Sequence, residues 1–402
     1  MVKKMNLLTR LLLGIVLGIL LGSLGGWFSI EDSFLFVGMV RLFKTFNGLF
    51  SVLLAFLIPL IILSFVTVGL ADLGKKANKL FGLTLLLAYL STILAGFCSY
   101  FIGNAILPHI VMDAAASAAT GLEFPAFFSL EVPPVFGVMT ALVLSFLLGI
   151  GMANIKGTSL LGGFKDLREI LVRILGKLII PLIPFYIAGM FCNIAAEGKL
   201  VSTAANFASL FILILVLQLL YIVAQYGVAS MITRRNQFSK IKNALPAYMT
   251  ALGTQSSAVT IPVALDCAYK NEVSKDVADF CVPICATINL GGDTIALVIG
   301  AIGLMLSHGM EVSLLQFAPF ILMLGITMVA APGVPGGGVM AALGLLSSML
   351  GLGTSLQDLM IALHFSQDSF GTATNVTGDQ ALTLIVNHFD QKPSRKQRPV
   401  KK

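Results

Sequence analysis

Charged side chains are scarce in this sequence. Only 11% of its 402 residues are Asp, Glu, Lys or Arg, and 57% are hydrophobic. An ordinary soluble domain carries roughly a quarter charged residues. Length alone would allow two or three soluble domains, but no stretch is polar enough to coat one. Cysteine is scarce too. Cys98, Cys192, Cys267, Cys281 and Cys285 sit in apolar segments with no CxxC pair, so they read as small packing residues and not as a metal site. The Gly-rich run 333–338 lacks the Gly-Lys-Ser/Thr that would make it a phosphate loop.

Apolar length is what the sequence has. Runs such as Leu11 to Gly22, Leu53 to Val68 and Phe207 to Val223 recur along the chain, and crossing a bilayer takes ~20 mostly apolar residues. Room exists for about eight such helices. Lys3 and Lys4 precede an apolar run that no small-x-small cleavage signal closes, so residues 7–28 are expected to be a retained first span.

Charge placement gives the expected topology. Net charge is +7, and the basic residues cluster at Lys3–Arg10, Lys75–Lys79, Lys156–Lys177, Arg234–Lys242, Lys270–Lys275 and Lys392–Lys402. Residues 105–133 hold Asp113, Glu123 and Glu131 and no Lys or Arg, and only Arg41, Lys44 and Lys199 fall on that poor side. Cytoplasmic connections are the basic ones, which places both termini inside and sets the basic tail against anionic headgroups.

Two segments break the simple pattern. Segments 234–242 and 270–275 are both basic, hence on one side, yet Ala244–Leu252 and Ile261–Leu265 between them are apolar around a Gly253–Ser257 centre. Each half is about a dozen residues, ~18 Å of helix against a ~30 Å hydrocarbon core. The segment is expected to enter and return as a re-entrant hairpin, its polar tip held in a protein-lined cavity. Leu314–Ala331 and Val339–Leu352 flank Pro332–Gly338 in the same way, entering from the opposite side after the His308–Glu311 turn. Residues 270–305 and 355–389 are the spans that follow each hairpin. Paired broken segments point to a transporter site built from inverted repeats. The expected fold is therefore all-α and polytopic, with eight transmembrane helices plus two re-entrant helical hairpins.

The polar residues of these segments carry the chemistry. Asp368, Thr372, Asn375 and Asp379 fall at i, i+4, i+7 and i+11, one stripe of the last span. Carboxylates inside a membrane helix are expensive and by default functional; the bland alternative is a stripe that glues helices by hydrogen bonds. In the preceding span, Asn289 and Asp293 are four apart around Gly291-Gly292, expected on one helical face where glycines loosen the helix, a set suited to a hard cation. His364 reads as a packed interhelical residue, with proton carriage as the alternative. An intramembrane aspartyl protease is excluded: Leu290-Gly291-Gly292-Asp293 lacks the first glycine of GxGD, and Asp368 and Asp379 stack on one helix. No enzyme activity is expected, and the basic tail does not suggest a nucleic-acid partner.

Thr254-Gln255-Ser256-Ser257 with Pro262, Asn289-Leu290-Gly291-Gly292, Gly333-Val334-Pro335-Gly336-Gly337-Gly338 and Asn375-Val376-Thr377-Gly378-Asp379 occur in that order. In this the chain resembles the dicarboxylate/amino acid:cation symporter family, the bacterial glutamate-transporter homologues. The resemblance implies a homotrimer in the bacterial inner (plasma) membrane. It implies an elevator: scaffold at 1–73 and 105–198, a transport unit at 74–104 and 199–389, and a basic tail at 390–402. It implies that Asp368 binds the substrate ammonium, that Thr372 and Asn375 contact its backbone, that Ser256 and Ser257 meet its carboxylate, that the Gly333–Gly338 tip is the gate, and that Val334, Gly338 and Gly371 also line the substrate site. Asn289, Asn375 and Asp379 would hold one sodium, Thr287 and Met328–Ala331 another, and Tyr89, Thr92 and Asn289 a third. Two departures matter. Gly371 stands where acidic-substrate members carry arginine, and Gln255 where some do, so a neutral amino acid is expected; a dicarboxylate or acidic amino acid with sodium or protons is the alternative. Gly291 stands where the family has Asp, so the third ion site is absent or rebuilt around Asp293.

Overall fold

In the computed structural model, residues 7–75, 79–111, 124–329, 331 and 335–390 are described. Among them there is no strand. The expectations for Val334, for Lys3 and Lys4, for Asp113 and Glu123, and for the basic tail lie outside the described residues.

Among the described residues, six helical stretches are long and apolar enough to cross a bilayer: Thr9–Phe28, Phe34–Asp72, Leu80–Ile110, Ser159–Ala196, Leu200–Thr233 and Lys275–Ser307. The first three lie within α1 (Leu7–Phe28), α2 (Phe34–Lys75) and α3 (Lys79–Ile110). After α4 (Val138–Asn154), α5 (Ser159–Ile174) runs through a wide π turn at Leu175–Ile179 into α6 (Ile180–Ala196). Then come α7 (Leu200–Thr233) and six shorter helices: α8 (Ile241–Thr254), α9 (Ser257–Lys270), α10 (Lys275–Ile288), α11 (Gly291–Ser307), α12 (Leu314–Val329) and α13 (Gly337–Leu350). The long α14 (Thr354–Asp390) closes the described chain.

The helices sort into two packed groups. One is α1, α2, α4, α5 and α6; the other is α3 with α7 to α14. In the first, Gly14, Gly18 and Gly22 form a stripe on α1 that lies directly on the α6 backbone at Pro184, Ala188 and Cys192. Small residues four apart let two backbones meet where apolar burial gives helices no drive to associate. Outward faces are greasy, with Leu12, Leu13, Val16 and Leu17 on α1 and Ile212, Leu219, Leu220 and Val223 on α7 all exposed.

The second group inverts this pattern. α11 is buried on nearly every face, and α14 keeps its polar residues inside. The greasy helices wrap the two that bury Asp293, Asp368 and Asp379.

Both half-length pairs turn back on themselves. At the open end of α8/α9, Lys240 Nζ donates to the Asn271 carbonyl and pairs with Glu272 at 3.0 Å, while Asn243 Nδ2 donates to Asn271 Oδ1 at 3.0 Å. The chain therefore enters and leaves this pair of helices at one place. At the open end of α12/α13, Gln316 Nε2 donates to the Met349 carbonyl at 3.1 Å.

Candidate functional site

The two hairpin tips meet on adjacent residues of α14. α8 ends where Gln255 turns left-handed at φ +53°, and Ser256 opens α9 by accepting a hydrogen bond from Val259 N at 3.4 Å. Gln255 Nε2 then donates to Ser369 Oγ at 2.8 Å. From the other tip, Gly336 N donates to Asp368 Oδ2 at 2.8 Å. Gly336 sits at φ +72°, and a Cβ there would run into the Phe365 ring, so glycine is required twice over. Both tips present a helix N-terminus, and that end of a helix favours negative charge.

The break in the α10–α11 span differs from expectation in position and cause. α10 stops at Ile288, Asn289 and Leu290 are non-helical, and Gly291 and Gly292 already belong to α11. Asn289 and Asp293 therefore share no helical face, which corrects that reading. Gly291 and Gly292 are needed for close approach, not for looseness: a Cβ on Gly291 would lie 2.5 Å from the Tyr221 hydroxyl, and one on Gly292 2.5 Å from the Gly371 carbonyl.

The two residues reach different partners on α14. Asn289 Nδ2 donates to Asp379 Oδ1 at 2.9 Å, and Asn289 Oδ1 is buried without a partner. Asn375 links the other side, accepting from Gly292 N at 2.7 Å and donating to Asp293 Oδ2 at 2.5 Å. Gln218 on α7 donates to the Gly292 carbonyl at 3.1 Å and to Gln367 Oε1 at 2.7 Å.

Three carboxylates are thus buried on α11 and α14, Asp293, Asp368 and Asp379, at 4%, 3% and 1% exposure. Among the described residues no lysine or arginine pairs with any of them; the cations pair elsewhere, as Lys44 with Glu197 and Lys165 with Asp72. The titratable neighbour is His364, whose Nε2 lies 3.0 Å from Asp293 Oδ1. An imidazole nitrogen and one oxygen each of Asp293 and Asp368 lie within 4.8 Å of one another.

A cavity opens between these groups, lined by Gln255, Ser257, Thr287, Asp293, Gly338, Asp368, Thr372 and Asn375, with about 20 Å³ of free volume. That is of the order of one water, so anything larger enters only if the lining moves. Gly338 is tight against Asp293, since a Cβ there would stand 2.7 Å from Oδ1. Thr287 Oγ1 donates to the Ile284 carbonyl at 2.8 Å.

Other expected residues lie apart. Gly371 is buried but does not line the cavity; its side faces Gln367 and Gln218, so the space left by the missing side chain is partly filled by amides. Tyr89 donates to the Leu322 carbonyl at 3.4 Å and lines a separate apolar cavity with Leu70, Leu85 and Phe146, while Thr92 donates to the Ala88 carbonyl at 3.0 Å. No hydrogen bond joins these two hydroxyls to the carboxylate cluster. Instead α3 is tied in through Ser91, which meets Tyr221 at 2.6 Å and accepts from Gln225 Nε2 at 2.9 Å. Gln218, Tyr221 and Gln225 went unnoticed in the sequence, although three polar residues at i, i+3 and i+7 of an apolar helix were a visible stripe.

Fold and site together define a multi-pass helical membrane protein in which the turns of two short helical pairs, α8/α9 and α12/α13, meet beside buried carboxylates. The sequence model of the sodium:dicarboxylate symporter family matches residues 7–389, and the chain belongs to that family. It is 30% identical to excitatory amino acid transporter 1 of Homo sapiens and of Bos taurus over 261 residues, 62% of this chain and 46% of theirs. It is also 30% identical to excitatory amino acid transporter 4 of Mus musculus over 258 residues, 62% of this chain and 44% of that one. The chain spans about half the length of the curated relatives it matches.

Proposed function

We propose that this protein is a sodium-coupled symporter that takes up a neutral amino acid by an elevator movement. The observation that carries the reading is the trio Asp293, Asp368 and Asp379, buried with no lysine or arginine partner among the described residues. An uncompensated buried carboxylate is costly. Cations that arrive as cargo, sodium ions and a substrate ammonium, remove that cost.

The donor atoms suit this. The Asp379 carboxylate, the unpartnered Asn289 Oδ1 and the carbonyls freed at the Asn289–Leu290 break offer the oxygens a hard cation takes. Thr287 lines the cavity with Asp293 and Asp368 and belongs to a second ion site. Asp368 takes the ammonium, Thr372 and Asn375 the rest of the amino acid backbone, and Ser256 and Ser257, at the positive end of α9, the carboxylate.

The relatives named above are excitatory amino acid transporters. The neutral reading here rests on Gly371 and Gln255, at positions where the family's arginines would stand, and on the absence of any Lys or Arg from the described cavity lining. A second carboxylate on the substrate would meet two aspartates and no basic partner.

Sodium binding orders the broken span and the second hairpin, and substrate then completes the closure. The group α3 with α7 to α14 moves as the transport unit, 74–104 and 199–389, against a scaffold of 1–73 and 105–198 that assembles as a homotrimer. Eight spans, two re-entrant hairpins and cytoplasmic termini in the bacterial inner membrane complete the reading. Its test is a sodium titration of purified protein with and without serine or leucine. By linkage each ligand raises the other's affinity by the same factor; independent binding would refute the coupling.

A further inference from the structure

A carboxylate far from the site stands on the seam between the two helix groups. Asp358 lies in the second turn of α14, and Ser51 Oγ on α2 donates to its Oδ1 at 3.0 Å. The Tyr186 hydroxyl on α6 stands beside the same carboxylate and 3.4 Å from Ser51 Oγ. With its proton committed to Asp358, Ser51 can only accept from Tyr186. Tyr186 is fully buried and packs on Phe50, with 4.7 Å between ring centroids. Two hydroxyls of the first group therefore face one carboxylate of the second.

This contact bridges a gap. Asp358 lines two cavities that run between the groups. One, of about 360 Å³, lies between Leu54 and Ile58 of α2 and Leu343 and Ser347 of α13. The other, of about 610 Å³, lies between Asn47 of α2, Met190 of α6 and Leu359 of α14. Lys44 and Lys199 also line the larger cavity, but both pair with Glu197 at 2.9 Å. Among the described residues no cation pairs with Asp358. Its compensation comes from Ser51 and Tyr186. A hydrogen bond to an ionised acceptor is roughly twice as strong as a neutral one, and a carboxylate that loses its partners inside a membrane protein is costly.

We propose that Ser51, Tyr186 and Asp358 form a latch that holds the group of α3 and α7 to α14 against α2 and α6 in the conformation described here. The latch rests on the elevator reading: when the second group slides along the first, Asp358 must leave its two hydroxyls. None of the three residues lines the cavity at Asp368. The latch therefore sets how often the groups change their relative position, separately from what the site binds.

The test measures the distance between the groups in the full chain in nanodiscs. Cys98 on α3 is exposed and the other cysteines are buried, so a spin label on Cys98 is paired with one on Leu160→Cys, at an exposed position of α5. Doubly labelled chains are diluted with unlabelled protein. Distances are read by double electron–electron resonance without sodium, and in saturating sodium with L-serine or L-leucine. Ser51→Ala should raise the population of a second conformation, relative to the one described here, by roughly tenfold or more. Ser51→Thr keeps the hydroxyl and should stay within about twofold of the wild-type ratio. Asp358→Asn keeps an acceptor but loses the charge, and should fall between the two. Two distances at the wild-type ratio in Ser51→Ala would overturn the latch. An equal change in Ser51→Thr would also overturn it, by assigning the effect to packing. A single unchanged distance in wild type and every variant under all conditions would overturn the elevator reading, and the latch with it.

Discussion

Gly292→Ala is the smallest change that should disable the site. The new methyl carbon would stand 2.5 Å from the Gly371 carbonyl oxygen, 3.0 Å from Thr374 Cβ and 3.1 Å from Asn375 Oδ1. A carbon–oxygen contact relaxes only near 3.3 Å, so α11 and α14 must part by about 0.8 Å. Overpacking of this kind costs about 1–3 kcal/mol. The same displacement strains the bond from Gly292 N to Asn375 Oδ1, 2.7 Å, and the 2.5 Å bond from Asn375 to Asp293. Losing a hydrogen bond adds about 1 kcal/mol, more when one partner is charged. Even about 1.4 kcal/mol of this falling on the ion-loaded state weakens sodium tenfold. Calorimetric sodium titration and thermal unfolding of purified protein provide the assay. Gly38→Ala is the control, since nothing lies within 4 Å of its Cβ; it should be neutral or stabilise by about 0.5–1 kcal/mol. Wild-type sodium affinity and stability in Gly292→Ala would show that the close approach of α11 to α14 is not a feature of the working protein.

Three further outcomes are expected. Gly18→Leu puts a side chain into the Ala188 backbone and should lower stability by about 1–3 kcal/mol, seen in thermal unfolding, whereas Leu17→Ala at an exposed position should not. Asp379→Asn keeps shape but removes the charge beside Asn289; sodium dependence of uptake should weaken at least about tenfold, and intact dependence would exclude Asp379 from the ion site. Gly371→Arg must displace the Gln367 amide, 3.2 Å from its Cβ; it should weaken neutral substrates and admit aspartate, and unchanged selectivity in competition uptake would remove Gly371 from the pocket.

Much of the architecture was legible because charge marks where a chain can stop. Arg234–Lys242 and Lys270–Lys275 bracket too short an apolar run, and Lys240 indeed meets Asn271 and Glu272. The α14 stripe was legible because a helical period is local: Asp368, Thr372, Asn375 and Asp379 all end up buried. What depended on partners far along the chain was not. Gly291 and Gly292 were legible as glycines, but their cause is Tyr221 and Gly371, 70 and 79 residues away in sequence for those pairs, and the helix breaks before them. His364 stands four residues before Asp368, so its place on the stripe was visible; that Asp293 from another helix would join it was not. Tyr89 and Thr92 were carried by resemblance alone, and here they bond within α3 and to α12.

The most direct test of the central claim is uptake of labelled serine, leucine and aspartate into proteoliposomes, with an inward sodium gradient or with choline in its place. The account predicts concentrative, sodium-dependent uptake of a neutral amino acid and exclusion of aspartate. Uptake indifferent to sodium, or uptake of aspartate in preference to the neutral amino acids, would contradict it.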